Sequence, residues 1–543
     1  MSFVGNQRQD QPQLHRESPV SDDHFSIGSP SKNGLSASPL VDRMLLLGDA
    51  DERDENQSTP FEMGSLDQFL REESWARKLC LWLGVDNVRK WKSSKTSVLQ
   101  QLSRDIARID KLVAKQLNAV LHHEKFKRLE ATWRGLDYLV ACKEKHYNSV
   151  APVMVQVLNV SWTELRNDQE RAIEFDQSLF FKKVYEEGIG TPNGTPFNAI
   201  LVDFDLHPRP SREHPFDDIT ILRRLSETSA AAFAPLFINA SPTMFGVDAF
   251  DELRQSFDLE SLHEKLDFFG WQRFRETEES RFVSVLLPRM LLRKPYRPET
   301  NHHFGFPFEE LVEHRKDHIW GGAVFGMGEV LIRNFSESGW FANIRGVERG
   351  TISGGTVVGP ARDEFLTEPD RVAPKPITDA LITDVFERQL AKLGFIAMCP
   401  CKDTSLGAFY SCSSSQKQRR YNATDANANA ELSTLTNYIL CASRFAHYVK
   451  VITRDKIGGF LEASDLQEIL SNWLIDYVNR DPEASPARRA EKPLLDASVQ
   501  VRAKPGKSGE YDCEIQLEPF HSFDDARASL KLDTRLVIRN QIR

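Results

Sequence analysis

The residues best equipped for chemistry are few and scattered. His314-Arg315-Lys316-Asp317-His318 would place two imidazoles one turn apart on a helix, the spacing that gives two ligands to a metal ion. It lacks the glutamate of a zinc-protease helix, and a segment so charged is ordinarily a solvated face. His302-His303, in a proline-bounded loop, is no more specific. Cys399-Pro400-Cys401 with Cys412 offers three thiols, but neither a matching pair nor a nearby histidine to complete a tetrahedral site. Gly326-Met327-Gly328 begins like a dinucleotide turn, yet Leu331 stands where the third glycine belongs. Gly354-Gly355-Thr356-Val357-Val358-Gly359 lacks the Lys-Ser/Thr pair of a nucleotide loop. Both glycine groups are expected at turns or close-packing sites. Lys417-Gln418-Arg419-Arg420-Tyr421 is too short and isolated for a nucleic-acid patch. No acid, base and nucleophile converge, so no catalytic residue, cofactor or metal is expected. The remote alternative is a metal-dependent hydrolase using His314 and His318.

Composition narrows the classes further. The 543 residues are 40% hydrophobic and 27% charged, with a formal net charge of −9. That balance argues against nucleic-acid binding, which draws on surplus Lys and Arg, and against a polybasic membrane anchor. The longest apolar run, Ala230 to Ile238, is nine residues and contains Pro235, whereas a bilayer span needs about 20. Direct membrane insertion is not expected. Seven cysteines without framework spacing fit a reducing compartment, the cytoplasm. Of these, Cys80, Cys142, Cys441 and Cys513 stand alone in apolar-patterned segments, where a thiol behaves as a small hydrophobe.

The elements around these residues divide the chain into three parts: 1–60, 61–430 and 431–543. The first reads as a disordered acidic arm punctuated by Ser-Pro pairs. With five basic and ten acidic side chains it carries about half of the net charge. Its one apolar island, Met44-Leu45-Leu46-Leu47, is a candidate for docking on a partner. From Phe61 the pattern turns globular. A helix is expected over Leu66–Val85, ending near Gly84, and a helical hairpin over about 98–146. Its first helix places Leu99, Leu102, Ile106, Ile109, Val113, Leu117 and Val120 at steps of three and four. The second carries Phe126, Leu129, Trp133, Leu136 and Leu139, with Trp133, Arg134 and Gly135 read as core and cap.

Beyond Pro152, strands alternate with helices, an α/β texture. Strands are expected at Val153–Val160, Ala199–Phe204, Phe395–Cys399 and Ala408–Ser411. Helices are expected at Trp162–Phe175, Leu179–Glu187, Asp217–Ala232, Trp271–Ser280, Ile319–Ser338 and Ile382–Leu393. The last third reads as helices Asn429–Lys456 and Ser464–Asn479, then a charged linker, 480–493. A β-hairpin follows around Pro505–Glu510, and Ala528–Ile538 closes the chain as a final strand.

Five stretches, in order, resemble one family. They are LSRDIARIDKLVAKQLNAVLHHEKFKRLEATWRGLDYLV (Leu102–Val140); FGVDAFDEL (Phe245–Leu253) with WQRFRETEESRFVSVLLPRMLLRKPYRPET (Trp271–Thr300); SGWFANIRG (Ser338–Gly346); GFIAMCPCKDTSLGAFYSCSSSQKQRRY (Gly394–Tyr421); and RFAHYVKVITRDKIGGF (Arg444–Phe460). The family is the large subunit of the type VI secretion contractile sheath, known as TssC, VipB, ImpC or EvpB.

The resemblance implies a structural role and a mixed α/β (α+β) sheath-subunit fold whose C-terminal sheet is completed by neighbouring subunits. It implies a small sheath subunit as heterodimer partner, further copies of the chain in a helical lattice, an inner tube protein, a baseplate and a disassembly ATPase. An accessory paralogue or a phage-tail-like sheath protein are the variants of this reading. Candidate assembly residues are Met44–Leu47, the charged stripe Lys450, Arg454, Asp455 and Lys456, and Glu518, which is acidic where the family is usually basic.

Overall fold

The computed structural model describes residues 64–537, apart from 86–87, 90–93, 147–150, 192–193, 213, 255–257, 299–305, 349–350, 362, 364–374, 403, 456–462, 482–483, 504–509 and 520–529. Met44–Leu47 and Lys456 therefore lie outside the described residues, as does most of the expected hairpin turn. Two compact units divide the chain: 1–117 with 302–308, and 118–301 with 309–543.

In the first unit, α1 (Gly64–Arg71) and α2 (Trp75–Leu83) replace the single helix expected over 66–85. The break at Glu72–Ser74 lets the Phe69 ring meet Trp82 at 5.3 Å. Gly84, at φ 84°, ends α2 as its spacing predicts. The long α3 (Lys95–Leu121) supplies Asp105, a buried carboxylate that accepts from Trp82 Nε1 at 3.0 Å and Gln101 Nε2 at 2.9 Å. The second helix of the expected pair follows as α4 (Glu124–Lys145), through a link at His122 and His123.

The second unit is built on a six-stranded mixed sheet. Its strands are β1 (Ile200–Leu206), β2 (Leu236–Ala240), β3 (Val283–Leu287), β6 (Thr356–Val358), β7 (Phe395–Pro400) and β8 (Leu406–Phe409), in the order β1-β2-β3-β7-β8-β6. Neighbours from β1 to β7 run parallel, and β8 and β6 close the sheet antiparallel. β2 and β3 are buried along their whole length, as strands covered on both faces must be. On one side Leu222, Leu225, Trp271 and Phe395 share a core with α6 (Asp218–Ala232) and α7 (Phe269–Arg275). On the other, Phe237, Leu286 and Ile396 pack with α4 and α8 (Ala323–Ser338). A short antiparallel pair, β4 (Met290–Arg293) and β5 (Ile319–Gly321), flanks this second core. The fold is mixed α/β.

α8 is the densest point of the structure, with 13 of its 16 residues buried. Two glycines make room for the crossing with α4. A Cβ on Gly135 would lie 2.4 Å from the Phe325 ring, and one on Gly328 would lie 2.7 Å from Leu139 and Leu201. The pattern that began like a dinucleotide turn is thus a packing device. The first turn of α8 takes its cap from another element: Asn239 Oδ1, on β2, accepts from Val324 N at 3.1 Å. Within the helix, Arg333 Nε lies 3.2 Å from Glu329 Oε1, while Arg333 NH2 donates to the Thr356 carbonyl at 2.5 Å.

Several expected elements differ in detail. Val153–Val160 has no ladder partner among the described residues and carries no regular secondary structure. Ile319–Ser338 is two elements, because Ile319–Gly321 pairs with β4 before the helix starts. Leu179–Glu187 becomes one helical turn leading into a π-helix, Lys182–Gly190. The long helix over 429–456 is broken into α10 (Thr424–Leu432) and α11 (Thr436–Asp455), where Leu435 bridges to Ser413 and the Thr434 carbonyl accepts from Ser414 N. Two further helices follow, α12 (Ala463–Ile475) and, inside the expected linker, α13 (Pro486–Glu491), which Ser485 caps.

Burial pushes the Glu329 carboxyl up to about 7, an effect Arg333 only partly offsets. The folded chain thus keeps a proton that an unfolded glutamic acid, near 4.5, has released. Stability contributed at this site falls as pH rises between those values. Glu329→Gln is expected to flatten the decline in chemical-denaturation stability between pH 4.5 and 7 by on the order of 2–3 kcal/mol; an unchanged slope would show that the carboxyl titrates normally.

Candidate assembly surfaces

The C-terminal sheet is the expected hairpin and final strand. It consists of β9 (Leu494–Ala503), β10 (Glu510–Pro519) and β11 (Leu530–Val537), antiparallel in the order β11-β10-β9. Alternation decides its inner face: Val499 and Val501 of β9 and Cys513, Ile515 and Leu517 of β10 join a core with Leu466, Leu470 and Leu474 of α12. Aromatic rings complete that core. Trp340 stacks on Phe445 at 4.3 Å, and Phe445 meets Trp473 at 5.7 Å and Tyr477 at 5.8 Å. Arg444 lies over Phe335, Trp340 and Tyr448, and its NH2 donates to Tyr448 Oη at 2.6 Å.

The edges of this sheet are unequal. At β9, Gln467 Oε1 accepts from Val501 N at 3.1 Å, and Leu494 bridges to Val478. β11 pairs along Leu530–Val537 with β10 alone among the described residues.

The charged stripe on α11 is engaged within the chain. Lys450 Nζ lies 4.6 Å from the Phe233 ring centre and 5.6 Å from that of Tyr185, and burial pushes its amine down to about 8. Arg454 NH1 donates to the carbonyls of Thr191 at 3.1 Å and Ile189 at 3.3 Å, at the C-terminal end of the π-helix. Asp455 is the last residue of α11. Glu518, on β10, stands opposite Asp496, whose carboxylate is 3.3 Å from Arg480 NH2.

Trp133 departs from its expected place in the core. It is 64% exposed, next to the exposed Leu129, while the opposite face of α4 holds the buried Ala131, Gly135, Leu139 and Cys142. Periodicity could not separate the two faces because both are apolar. Arg134 is held by Glu130 at 2.7 Å and by Tyr296 Oη at 3.0 Å.

Of the residues weighed for metal chemistry, His302 and His303 lie outside the described residues. His314 and His318 flank a 3-10 turn, so the helical spacing that would align their rings is absent. His318 Nε2 instead faces Asp363, at 3.4 Å. Burial pushes the Cys399 and Cys412 thiols up to about 12, leaving them protonated near neutrality. A group that close-spaced motifs miss does converge: His207, His214 and Asp218 bring ligand-type atoms within 4.8 Å of one another. The signal was a His-x6-His-x3-Asp spacing across a proline-bearing loop into the start of α6.

Arg454→Ala in the isolated chain is expected to lower stability by about 1–2 kcal/mol and to speed amide exchange at the end of the π-helix. A residue with only a lattice role would leave the isolated chain's melting unchanged.

Two family models cover most of the chain in sequence. The EvpB/VC_A0108 tail sheath N-terminal domain matches residues 103–416, and the EvpB/VC_A0108 tail sheath gpW/gp25-like domain matches 425–536. The type VI secretion system sheath protein TssC1 of Pseudomonas aeruginosa is 34% identical over 443 residues, 81% of this chain and 86% of that protein. With five motifs, two domain models and a full-length relative in agreement, the chain belongs to the EvpB/VipB family, the large subunits of the type VI secretion contractile sheath.

Proposed function

We propose that this large sheath subunit pairs with a small sheath subunit and, with further copies of itself, forms a contractile tubule in the cytoplasm. The tubule surrounds an inner tube protein and stands on a baseplate, and contraction drives the tube outward; a disassembly ATPase recycles the contracted form. The role is mechanical rather than catalytic. The observation that carries this reading is the edge strand β11, which among the described residues pairs with β10 alone. A strand donated by a neighbour would pair there through backbone groups, which tolerate rotation of the bodies they join.

Two other features support the reading. The exposed Trp133 and Leu129 give α4 an apolar face suited to burial in an assembly. The acidic Glu518 and Asp496 would favour a basic neighbour. The arm, 1–60, is a candidate source of the donated strand through Met44–Leu47.

Co-expression with the small partner and electron microscopy test this. The full-length chain is expected to give tubules. A chain ending at residue 529, which lacks β11, should form none, and its cooperative melting, measured in parallel, separates a lost edge from a lost fold. Normal tubules from that chain would overturn the open-edge reading. Normal tubules after deletion of 1–60 would remove the arm from the lattice.

A further inference from the structure

Three nitrogen-bearing side chains of α11 meet at one small cavity, an arrangement that a mechanical role does not require. His447, Lys450 and Arg454 line it together with Ile189, Pro196 and Val451. Their spacings of three and four put them on one side of the helix. The cavity encloses about 30 Å³, room for a methyl-sized group but not for a longer chain. No acidic side chain is among its lining residues.

Lys450 is the unusual member. Its amine lies over the Phe233 and Tyr185 rings and, among the described residues, has neither a carboxylate nor a hydrogen-bond acceptor. With the amine pushed down to about 8 by desolvation, about a quarter of it is uncharged near pH 7.5, against about a thousandth of an ordinary lysine. An uncharged amine is the nucleophilic form. His447, 6% exposed, places Nε2 2.7 Å from the Ala232 carbonyl. A carbonyl only accepts, so Nε2 carries the proton and Nδ1 a lone pair, which has no hydrogen-bond partner among the described residues. Burial pushes this imidazole down to about 4, so the ring stays neutral beside the amine. Arg454 NH1 is held by the Thr191 and Ile189 carbonyls, which fixes the guanidinium at the cavity, and NH2 has no acceptor among the described residues.

From this arrangement we infer that Lys450 is an acetylation site, its amine taking the acetyl group of a small acyl phosphate. The amine nitrogen attacks the carbonyl carbon, the C–N bond forms as the C–O bond to phosphate breaks, and the amine proton leaves with the phosphate. Nothing is oxidised or reduced, and no further reagent is needed. Arg454 supplies the fixed positive charge that draws an anionic donor and steadies its phosphate. The cavity accepts the methyl of an acetyl group and excludes longer acyl chains. The product amide is uncharged, so the cost of keeping an ammonium out of water disappears. The amide also carries an N–H, the kind of donor that His447 Nδ1 lacks. Acetylation would cancel the attraction of Lys450 to the Phe233 and Tyr185 rings and loosen α11 from α6 and the π-helix. The inference does not depend on the assembly proposed above.

Full-length chain is incubated with acetyl phosphate near pH 7.5, and acetylation of every lysine is followed in time by quantitative mass spectrometry. Lys450 is expected to react at least about tenfold faster than the median lysine, in line with its larger uncharged fraction. The excess should vanish in denaturant, where all lysines are alike, and should fall severalfold with butyryl phosphate, whose chain exceeds the cavity. Arg454→Gln should slow Lys450 with acetyl phosphate but not with p-nitrophenyl acetate, which carries no phosphate; melting of the variant, measured in parallel, shows that it is folded. A smaller excess at Lys450 in the folded chain would overturn the assignment and leave the residue as a packing cation. An excess that persists in denaturant would overturn it too, by tracing the reactivity to local sequence rather than to the cavity.

Discussion

A helix with almost no solvent-facing side cannot shift without disturbing everything around it, and Ala323–Ser338 is such a helix. Its apolar residues face the sheet and α4 at once, and glycines on both helices bring the backbones close enough to interlock. Its polar residues are buried too. Glu329 and Arg333 face each other, Arg333 and Asn334 bind the carbonyls of the turn before β6, and Asn239 on β2 caps the first turn. Sheet, helix and edge strand are thereby tied into one body. A sheath subunit has to transmit force between neighbours, and a body locked in this way passes a push at one surface to another without absorbing it.

What could be read from the sequence followed the strength of each local signal. The three-and-four spacing over Leu99–Val120 marked α3, and the alternation flanking 505–510 marked β9 and β10. The helix expected over Asp217–Ala232 matches α6 within one residue, Asp217 being its N-cap. Errors arose where tertiary pairing competes with local preference. Val153–Val160 has the β-rich composition of a strand but no partner among the described residues, and Ile319–Gly321 is drawn from a helical pattern by pairing with β4. The break between α10 and α11 depends on contacts with Ser413 and Ser414, some twenty residues away, which no local window contains.

Charged side chains show the same limit. Lys450 and Arg454 recur at a helical interval and so resemble an outward stripe. The fold instead supplies aromatic faces for one and helix-end carbonyls for the other. Arg275 is a further case: its guanidinium is buried and donates to the carbonyls of Ser415 at 3.1 Å and Lys392 at 2.9 Å, pinning two distant segments. Composition counts charges but not which of them the backbone will claim. His207, His214 and Asp218 escaped notice for a related reason, since only the folded loop brings them together.

The unequal edges of the C-terminal sheet carry a geometric consequence. β9 spends part of its outer backbone within the chain, on Gln467 and Val478, whereas β11 pairs on one side only among the described residues. A strand donated to that edge from a different segment of a neighbour would make the contact directional, each copy giving at one place and receiving at another. Contacts of this heterologous kind propagate, and unless the rotation between units closes a ring they wind into an open helix with distinct ends. Polarity of growth would then be inherited from the sheet itself, without a separate device to set it.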